Sequence, residues 1–254
     1  MHEAFKTGAK SVAIIALGPS SRDYVSQMCS KKGFLGVDEV WGVNTAQRCY
    51  RLDKVFIMDD LKVVERRYPE WGAELKREKV PIITCKAYED YPASVAFPLQ
   101  EVIDSVEDDY FSTSVAYQIG LAIMMGVKDL YIYGADYYYP NAIAVESGLG
   151  CVGYLLGIAK GKGINFKVPN SSTLMDAHLA YQTEEDGKTV VKRKLYGYDY
   201  NPGDSFQKIQ EGRGDEWDQK FSQKDYLGKL KMQVAEAKKT GVAPAVPGTT
   251  SQAE

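Results

Sequence analysis

Small and polar residues follow five predicted strands, and their side chains are of the types that bind nucleotides. They are Gly18-Pro19-Ser20, Asn44-Thr45, Asp59-Asp60, Gly134 with Asp136, and Asn170-Ser171. Hydroxyl, amide and carboxylate groups can hydrogen-bond a base, a ribose or a phosphate. In an open parallel sheet the ligand crevice lies outside the carboxyl ends of the strands. We therefore expect these residues to converge on one pocket.

The Gly18-Pro19-Ser20 turn separates the apolar run Val12–Leu17 from a predicted helix that starts at Arg22. Free backbone N–H groups and the helix dipole at such a turn favour a phosphate. Gly18 would allow a ligand close to the main chain, and Ser20 would offer its hydroxyl. The alternative is an ordinary strand-to-helix turn with Ser20 as the N-cap. The spaced glycines of the dinucleotide-binding fingerprint are missing here.

Asp59 and Asp60 are adjacent carboxylates at a predicted strand end. Such a pair could bind Mg²⁺ that bridges a diphosphate. In the alternative, Asp60 caps the following helix and Asp59 bonds the backbone or a ribose. Both interpretations remain open.

The pattern of strand, loop and helix, repeated about six times, predicts a Rossmann-like, doubly wound α/β domain over residues 1–179. The predicted strands are Val12–Leu17, Glu39–Val43, Lys54–Met58, Val80–Thr84, Asp129–Tyr133 and Ile164–Val168. The predicted helices cover about residues 22–32, 113–125 and 150–160, and Gly126 ends the second of them.

A different pattern follows residue 179. Residues 180–200 predict a β-hairpin with Asp186-Gly187 at its turn and with Leu195-Tyr196 in the returning strand. Residues 217–240 predict a helix, which completes an extension over residues 180–240. Residues 241–254 are rich in Ala, Pro, Gly, Ser and Thr, which predicts a disordered tail.

Composition excludes several classes of protein. The net charge is −3, which argues against a strongly basic nucleic-acid-binding surface. Four cysteines without short paired spacing argue against a zinc site and a disulfide framework. The longest apolar run is far short of the ~20 residues of a membrane span, and no signal peptide is visible. We expect a cytoplasmic protein, and leave open whether it forms a homo-oligomer.

The segment Tyr110–Tyr139 joins a hydroxyl-rich helix start to a strand that ends in Gly134-Ala135-Asp136-Tyr137. Together with Gly18-Pro19-Ser20, Asn44 and Pro169-Asn170-Ser171, it resembles the bacterial lipooligosaccharide sialyltransferases of glycosyltransferase family 42. It is at least as similar to the motility accessory factor and 6-hydroxymethylpterin diphosphokinase-like family, which includes phage-encoded members. The resemblance covers about Val12 to Leu174.

The resemblance implies a nucleotide-sugar-dependent glycosyltransferase. In the sialyltransferases the matching residues hold the nucleotide of a CMP-sugar, which assigns donor binding to Gly18, Pro19, Ser20, Asn44, Thr113 and Ser114. Asp59 and Gly134, which also follow predicted strands, are further candidates for that role. In the sialyltransferases, tyrosines after the Gly-x-Asp motif assist the departing phosphate, which makes Tyr138 a catalytic candidate. Asp136, the aspartate of the motif itself, is a second candidate. Packing at the strand end is the alternative for each tyrosine. The acceptor would be a hydroxyl of a glycan or of a hydroxymethylated base in phage DNA.

The chain departs from the family pattern at two points. Leu17 stands where the family has Asn, and the family's general-base His is missing from the segment Val145-Glu146-Ser147-Gly148. Glu146 is the candidate base in its place, or it precedes and caps a helix that begins at Gly150. The family-42 enzymes require no metal, so Mg²⁺ enters only with a second hypothesis, a pyrophosphokinase-like phosphotransferase. A third hypothesis is a non-catalytic nucleotide-binding module.

Overall fold

A seven-stranded parallel sheet is the centre of the protein. The computed structural model describes residues 2–28, 36–137, 142–195 and 197–199. The strands of the sheet are β1 Ser11–Ile15, β2 Glu39–Val43, β3 Lys54–Phe56, β4 Ile82–Thr84, β5 Ser94–Ala96, β6 Asp129–Tyr133 and β7 Asn165–Lys167. Their spatial order is β5-β4-β3-β2-β1-β6-β7. This order confirms the predicted doubly wound α/β fold.

Strand β1 lies inside the sheet, between β2 and β6, and its apolar residues are covered on both faces. Residues Val12–Ile15 are completely buried, as expected for a continuous apolar run in a parallel sheet. The chain leaves β1 toward β2 and later returns to pair β6 with the other side of β1. The strand order therefore reverses between β1 and β6, and a crevice forms at such a point in open α/β sheets.

Helices cover both faces of the sheet. They are α1 Ser21–Met28, α2 Leu61–Arg67, α3 Pro69–Leu75, α4 Leu99–Val106, α5 Ser114–Met125 and α6 Ala142–Gly161. Apolar residues of α1, α2 and α3 pack on one face of the sheet. Those of α4, α5 and α6 pack on the other. Helix α5 ends at Gly126, whose φ of 68° is left-handed, and this confirms the predicted C-cap.

The structure corrects the start of the last predicted helix and adds one strand. Helix α6 begins at Ala142, eight residues before the predicted start at Gly150. Strand β5 was not predicted, because Ser94–Ala96 is only three residues long. The predicted first helix ends at Met28 within the described residues, and the rest of its predicted span lies outside them.

A buried ion pair joins β2 to β3 near the amino ends of both strands. The Lys54 ammonium contacts the Glu39 carboxylate, and both side chains are buried. Trp41 Nε1 donates a hydrogen bond of 2.5 Å to the same carboxylate. The Lys54 Nζ atom also lies 5.3 Å from the centroid of the Trp41 ring. These contacts supply partners to charges that would otherwise be costly to bury.

The predicted hairpin is confirmed as the antiparallel pair β8 Ala180–Glu185 and β9 Lys188–Arg193. Asp186 and Gly187 have φ values of 50° and 73° at its turn, as a two-residue hairpin turn of type I′ requires. Leu195 was predicted in the returning strand, which is wrong because β9 ends at Arg193; Tyr196 lies outside the described residues.

The chain divides into the units Met1–Arg193 and Lys194–Glu254. The helix predicted at residues 217–240 and the tail predicted at residues 241–254 lie outside the described residues, so both stay predictions. In the part of the chain that the structure describes, no helix combines the length and apolarity needed to span a bilayer.

Candidate functional site

A cleft of about 850 Å³ opens at the carboxyl ends of β1, β2 and β3, against α2 and α3. We call it the strand-end cleft. Leu17, Asn44 and Asp59 line it from the three strand ends, and Arg67, Tyr68 and Trp71 line it from the two helices. The structure thus brings Asn44 and Asp59 to one hollow. Leu17, the residue that departs from the family pattern, faces the same hollow.

Asn44 carries the most unusual geometry in this cleft. It follows β2 directly with a φ of 48°, a left-handed conformation that Asn tolerates better than most residues. Its Oδ1 atom is buried and has no hydrogen-bond partner among the described residues. A buried acceptor without a donor is rare and costly. The Asn44 oxygen is therefore a buried acceptor that no described residue satisfies.

The neighbouring Gln47 holds the backbone around Asn44 in place. With its amide oxygen facing Trp71, Gln47 accepts a hydrogen bond of 2.9 Å from Trp71 Nε1, while its amide nitrogen donates to the Asn44 carbonyl. This contact ties the 3₁₀ turn after β2 to helix α3. The backbone of Asn44 is thereby fixed, and its side-chain oxygen is left unpaired.

Helix α5 brings its N-terminus to the carboxyl edge near β2. Gln118 Nε2 donates a hydrogen bond of 3.2 Å to the Gly42 carbonyl. Ser114 shares a helix face with Gln118 and lies one turn, about 5.4 Å, nearer the edge. Asn44 is two residues beyond Gly42, roughly 6.6 Å along the strand direction. Helix α5 nevertheless packs on the face of the sheet opposite α2 and α3, and Ser114 does not line the strand-end cleft.

The turn after β1 and the end of β6 form a second polar region, which we call the β1–β6 junction. Ser20 donates two hydrogen bonds to the Asp136 carboxylate, from Oγ at 2.5 Å and from the backbone nitrogen at 2.7 Å. The Gly134 nitrogen donates to Ser20 Oγ at 2.8 Å. Ser20 is 2% exposed and Asp136 is 4% exposed. The carboxylate of Asp136 thus occupies the anion-binding position that the sequence predicts for a ligand phosphate.

Gly18 allows the two turns of this junction to approach each other. A Cβ at Gly18 would lie 2.5 Å from Asp136 Oδ2 and 2.5 Å from the Gly134 carbonyl oxygen. The Gly18 nitrogen donates to that carbonyl at 2.8 Å. Gly134 has a φ of 72°. The fold itself therefore requires glycine at both positions. Their predicted contacts with a ligand stay predictions. The same holds for Pro19, which is exposed.

Tyr137 links the junction to the start of α5. Its Oη lies 3.3 Å from Thr113 Oγ1, and Thr113 caps α5 by accepting a hydrogen bond of 3.2 Å from the Ala116 nitrogen. A Cβ on Gly148 would lie 2.3 Å from the Tyr137 ring, so α6 needs a glycine there. Thr113 is half-buried beside this ring. Tyr138 lies outside the described residues, and its predicted catalytic role stays a prediction.

Glu146 lies within α6 and is exposed. Its predicted alternative role, as a residue that precedes and caps a helix at Gly150, is wrong because the helix begins at Ala142. Gly148 and Cys151 lie on the buried face of α6. Since successive residues in a helix are separated by about 100°, Glu146 is on roughly the opposite side from Gly148. The predicted role of Glu146 as a base stays a prediction.

Asp60 is the N-cap of α2, which confirms the capping alternative. Its Oδ1 accepts a hydrogen bond of 2.8 Å from the Lys62 nitrogen, and this hydrogen bond lowers the pKa of the carboxyl from its ordinary value. Asp59 is exposed and lines the strand-end cleft. Within residues 2–28, 36–137, 142–195 and 197–199, no three or more His, Cys, Asp or Glu side chains are grouped to hold a metal.

Sequence reasoning missed the residues that α2 and α3 contribute to the cleft. Arg48 Nε is 2.8 Å from Glu74 Oε2, whereas Arg67 has no hydrogen bond or ion pair with another described residue. Tyr68 is 60% exposed, and its ring centroid lies 6.3 Å from that of the buried Trp71. The run Arg67-Tyr68-Pro69 at the junction of the two helices was the available signal.

The predicted cluster at Asn170-Ser171 meets helix α1. Ser171 Oγ donates a hydrogen bond of 2.7 Å to Asp23 Oδ2. This contact lies on the β1–β6 side, and neither Asn170 nor Ser171 lines the strand-end cleft. The structure therefore brings part of the predicted set to one hollow, namely Asn44, Thr45 and Asp59. Another part meets at the junction beside it, namely Gly18, Ser20, Gly134 and Asp136.

Comparison with solved structures finds several sialyltransferases from Campylobacter jejuni. The sialyltransferase CstII in complex with the substrate analogue CMP-3FNeuAc is 16% identical, with 79% of this chain and 99% of that chain covered and a TM-score of 0.43. An α-2,3-sialyltransferase in apo form is 18% identical, with 80% and 94% covered and a TM-score of 0.42. No family model matches the sequence, and no curated protein matches it. The strand order, independently of these superpositions, establishes the fold.

Proposed function

We propose that this chain is a nucleotide-sugar-dependent glycosyltransferase that transfers a sugar to a hydroxyl acceptor. The observation that carries the proposal is Asn44, which lines a cleft at the carboxyl edge of the sheet. Its backbone is left-handed, and its buried Oδ1 has no hydrogen-bond partner among the described residues. A nucleoside offers amine and hydroxyl donors to such an oxygen. The resemblance of the Gly-Pro-Ser, Asn, Thr-Ser and Gly-x-Asp motifs, in the same order along the chain, supports the same class of donor.

In the proposed complex the nucleoside lies against Asn44 and Asp59, and Tyr68 offers an exposed ring on which a base can stack. The N-terminus of α5 at Ser114 faces the sugar-phosphate bond. A base, for which Glu146 is the candidate, takes the proton of the acceptor hydroxyl as its oxygen attacks the anomeric carbon. The bond from that carbon to the phosphate oxygen breaks, and preorganised donors stabilise the departing phosphate.

A second candidate, a nucleotide-binding module without turnover, is favoured by the position of Glu146. This carboxylate lies on the exposed side of α6, away from the face that packs on Tyr137. The apolar Leu17 also lines the cleft where the family has a polar residue. The same cleft would then bind a nucleotide or nucleotide sugar and release it unchanged.

A thermal-shift panel tests nucleotide binding. We expect CMP-, UDP- or GDP-sugars of one nucleotide class to raise the midpoint of unfolding, because a ligand at 100 times its Kd stabilises the folded state by about 2.7 kcal/mol. ATP and bare nucleotides, with and without Mg²⁺, complete the panel. If none of these compounds stabilises the protein, both candidate functions are wrong.

Hydrolysis of the stabilising nucleotide sugar, with water as acceptor, separates the two candidates. The proposal expects turnover by the wild type and an approximately hundredfold or greater loss in Glu146→Gln at unchanged ligand affinity, since general-base catalysis contributes that much. Glu89→Gln, at another exposed glutamate, is the matched control. Ligand binding without release of sugar by the wild type would favour the module. Full activity in Glu146→Gln would remove Glu146 as the base.

A further inference from the structure

Arg67 is an exposed cation of the strand-end cleft that has no partner among the described residues. It lines the cleft at the last residue of α2, and it forms no hydrogen bond or ion pair with another described residue. The other cation of the cleft, Arg48, is held by Glu74 at 2.8 Å. Two carboxylates, Asp59 and Glu70, also line the cleft, and neither is within ion-pair distance of Arg67.

Comparison with the neighbouring Arg66 shows which property belongs to Arg67 alone. Both arginines occupy the last turn of α2, where a cation interacts favourably with the helix dipole. Arg66 does not line the cleft. Helix stabilisation therefore accounts for both residues, whereas a ligand contact applies to Arg67 alone.

The β1–β6 junction cannot supply the anion site in this state of the protein. The backbone nitrogen and hydroxyl of Ser20 both donate to Asp136, and the Ser20 oxygen also accepts from the Gly134 nitrogen. A phosphate that approached this turn would meet the carboxylate of Asp136, and like charges at such a distance repel. The negative charge of a bound nucleotide therefore needs another partner.

We propose that Arg67 binds the phosphate of the nucleotide in the strand-end cleft, in place of the Gly18-Pro19-Ser20 turn. This inference rests on the proposed function, because it assumes that a nucleotide occupies the cleft. The planar guanidinium can form two parallel hydrogen bonds to phosphate oxygens. Tyr68, the next residue, would stack on the base, and Asp59 would accept hydrogen bonds from the ribose hydroxyls. Arg67 is a binding residue in this arrangement, with no part in proton transfer.

The test compares 5′-monophosphates with their nucleosides by calorimetric titration. CMP, UMP, GMP and AMP are each paired with the free nucleoside, and each pair is measured on wild type, Arg67→Gln and Arg66→Gln. We expect Arg67→Gln to lose about tenfold to a hundredfold in nucleotide affinity, as when one hydrogen bond to a charged group is removed. Nucleoside affinity should remain unchanged, and Arg66→Gln should behave as the wild type.

The possible outcomes separate this inference from the function on which it rests. Wild type that binds none of the nucleotides overturns both. Nucleotide binding that keeps its full preference over the nucleoside in Arg67→Gln overturns the inference alone. An equal loss in Arg66→Gln would assign the effect to the general charge of α2, which also overturns it. Unfolding curves of both variants check that each is folded during the titration.

Discussion

The β1–β6 junction and the strand-end cleft lie at the same edge of one sheet. The polar groups of the junction are hydrogen-bonded to one another, whereas two polar groups of the cleft have no partner among the described residues. In the junction, Ser20, Gly134 and Asp136 supply one another with donors and acceptors. In the cleft, Asn44 Oδ1 and the Arg67 guanidinium have no partner among the described residues. The junction is built for stability, whereas the cleft retains hydrogen-bonding capacity that a ligand can use.

This difference changes how the motifs should be interpreted. The Gly-Pro-Ser turn, taken from sequence alone, is the stronger candidate for anion binding, since it precedes a helix. The structure satisfies that turn with the carboxylate of Asp136, which follows the adjacent strand β6. We therefore place the proposed anion-binding group on α2, at Arg67, to which the motifs do not extend.

Removing the Asp136 carboxylate should have the largest effect, a loss of stability at the junction. Asp136→Ala leaves the buried Ser20 nitrogen and hydroxyl without their acceptor, so we expect the free energy of unfolding to fall by about 2–4 kcal/mol. Urea denaturation measures it, with Asp109→Ala, an exposed aspartate, as the control. Unchanged stability with lost activity would instead identify Asp136 as a catalytic residue.

The close approach at Gly18 can be tested with a methyl group. Gly18→Ala places a Cβ against Asp136 and Gly134, and such overpacking should reduce the free energy of unfolding by about 1–3 kcal/mol. Gly157→Ala on the exposed side of α6 has no atom within 4 Å of the new Cβ, and it should gain up to about 1 kcal/mol. Equal stabilities for the two variants, measured by thermal unfolding, would contradict the packing described at the junction.

Asn44→Gly should separate stability from binding in the cleft. Glycine adopts a φ of 48° without strain, so we expect unfolding to change by less than about 1 kcal/mol, while nucleotide affinity falls roughly tenfold. Glu107→Gly, at a φ of 65° at the end of α4, is the control and should bind normally. Calorimetric titration of both variants provides the measurement. Undiminished affinity in Asn44→Gly would show that its oxygen does not contact the ligand.

The smallest expected effect is on the stability of α2, the helix beside the cleft, and it depends on pH. Hydrogen bonding to Lys62 lowers the pKa of Asp60, so its carboxylate stabilises the folded state at neutral pH. That contribution is lost as the pH falls through the lowered pKa of the folded state. Asp60→Ala should therefore unfold at a lower temperature than wild type at pH 7, and the difference should shrink in acid. A difference in unfolding temperature that does not shrink as the pH falls would contradict the capping role.

The sequence was sufficient for the sheet where strands are long and well bounded. Strands β2 and β6 have the predicted limits, Glu39–Val43 and Asp129–Tyr133, because each is an apolar segment followed by a small or polar residue. The start of α6 was missed since Gly148 and Gly150 suggest a break. In the structure Gly148 is required by the Tyr137 ring, a contact that no local pattern reveals.

Only part of the candidate site was predicted, because the rest depends on contacts between residues that are distant in sequence. Asn44 follows β2 directly and Asp59 lies three residues beyond β3, so the topology brings both to the cleft. The pairing of Ser20 with Asp136 spans 116 positions of sequence, and it depends on which strands are neighbours. Arg67 was overlooked because its significance lies in the lack of a partner, and a sequence does not record which charges are paired.

The buried pair of Lys54 and Glu39 has a consequence for the opposite edge of the sheet. Lys54 is opposite Trp41 in the ladder, and a slip by one residue would turn its ammonium to the other face, away from Glu39. Alignment of β2 with β3 is thus secured by groups remote from the ligand. Substitutions around the strand-end cleft can then change which ligand it binds while the two strands stay aligned. The specificity of this protein can thus evolve without a change in the sheet.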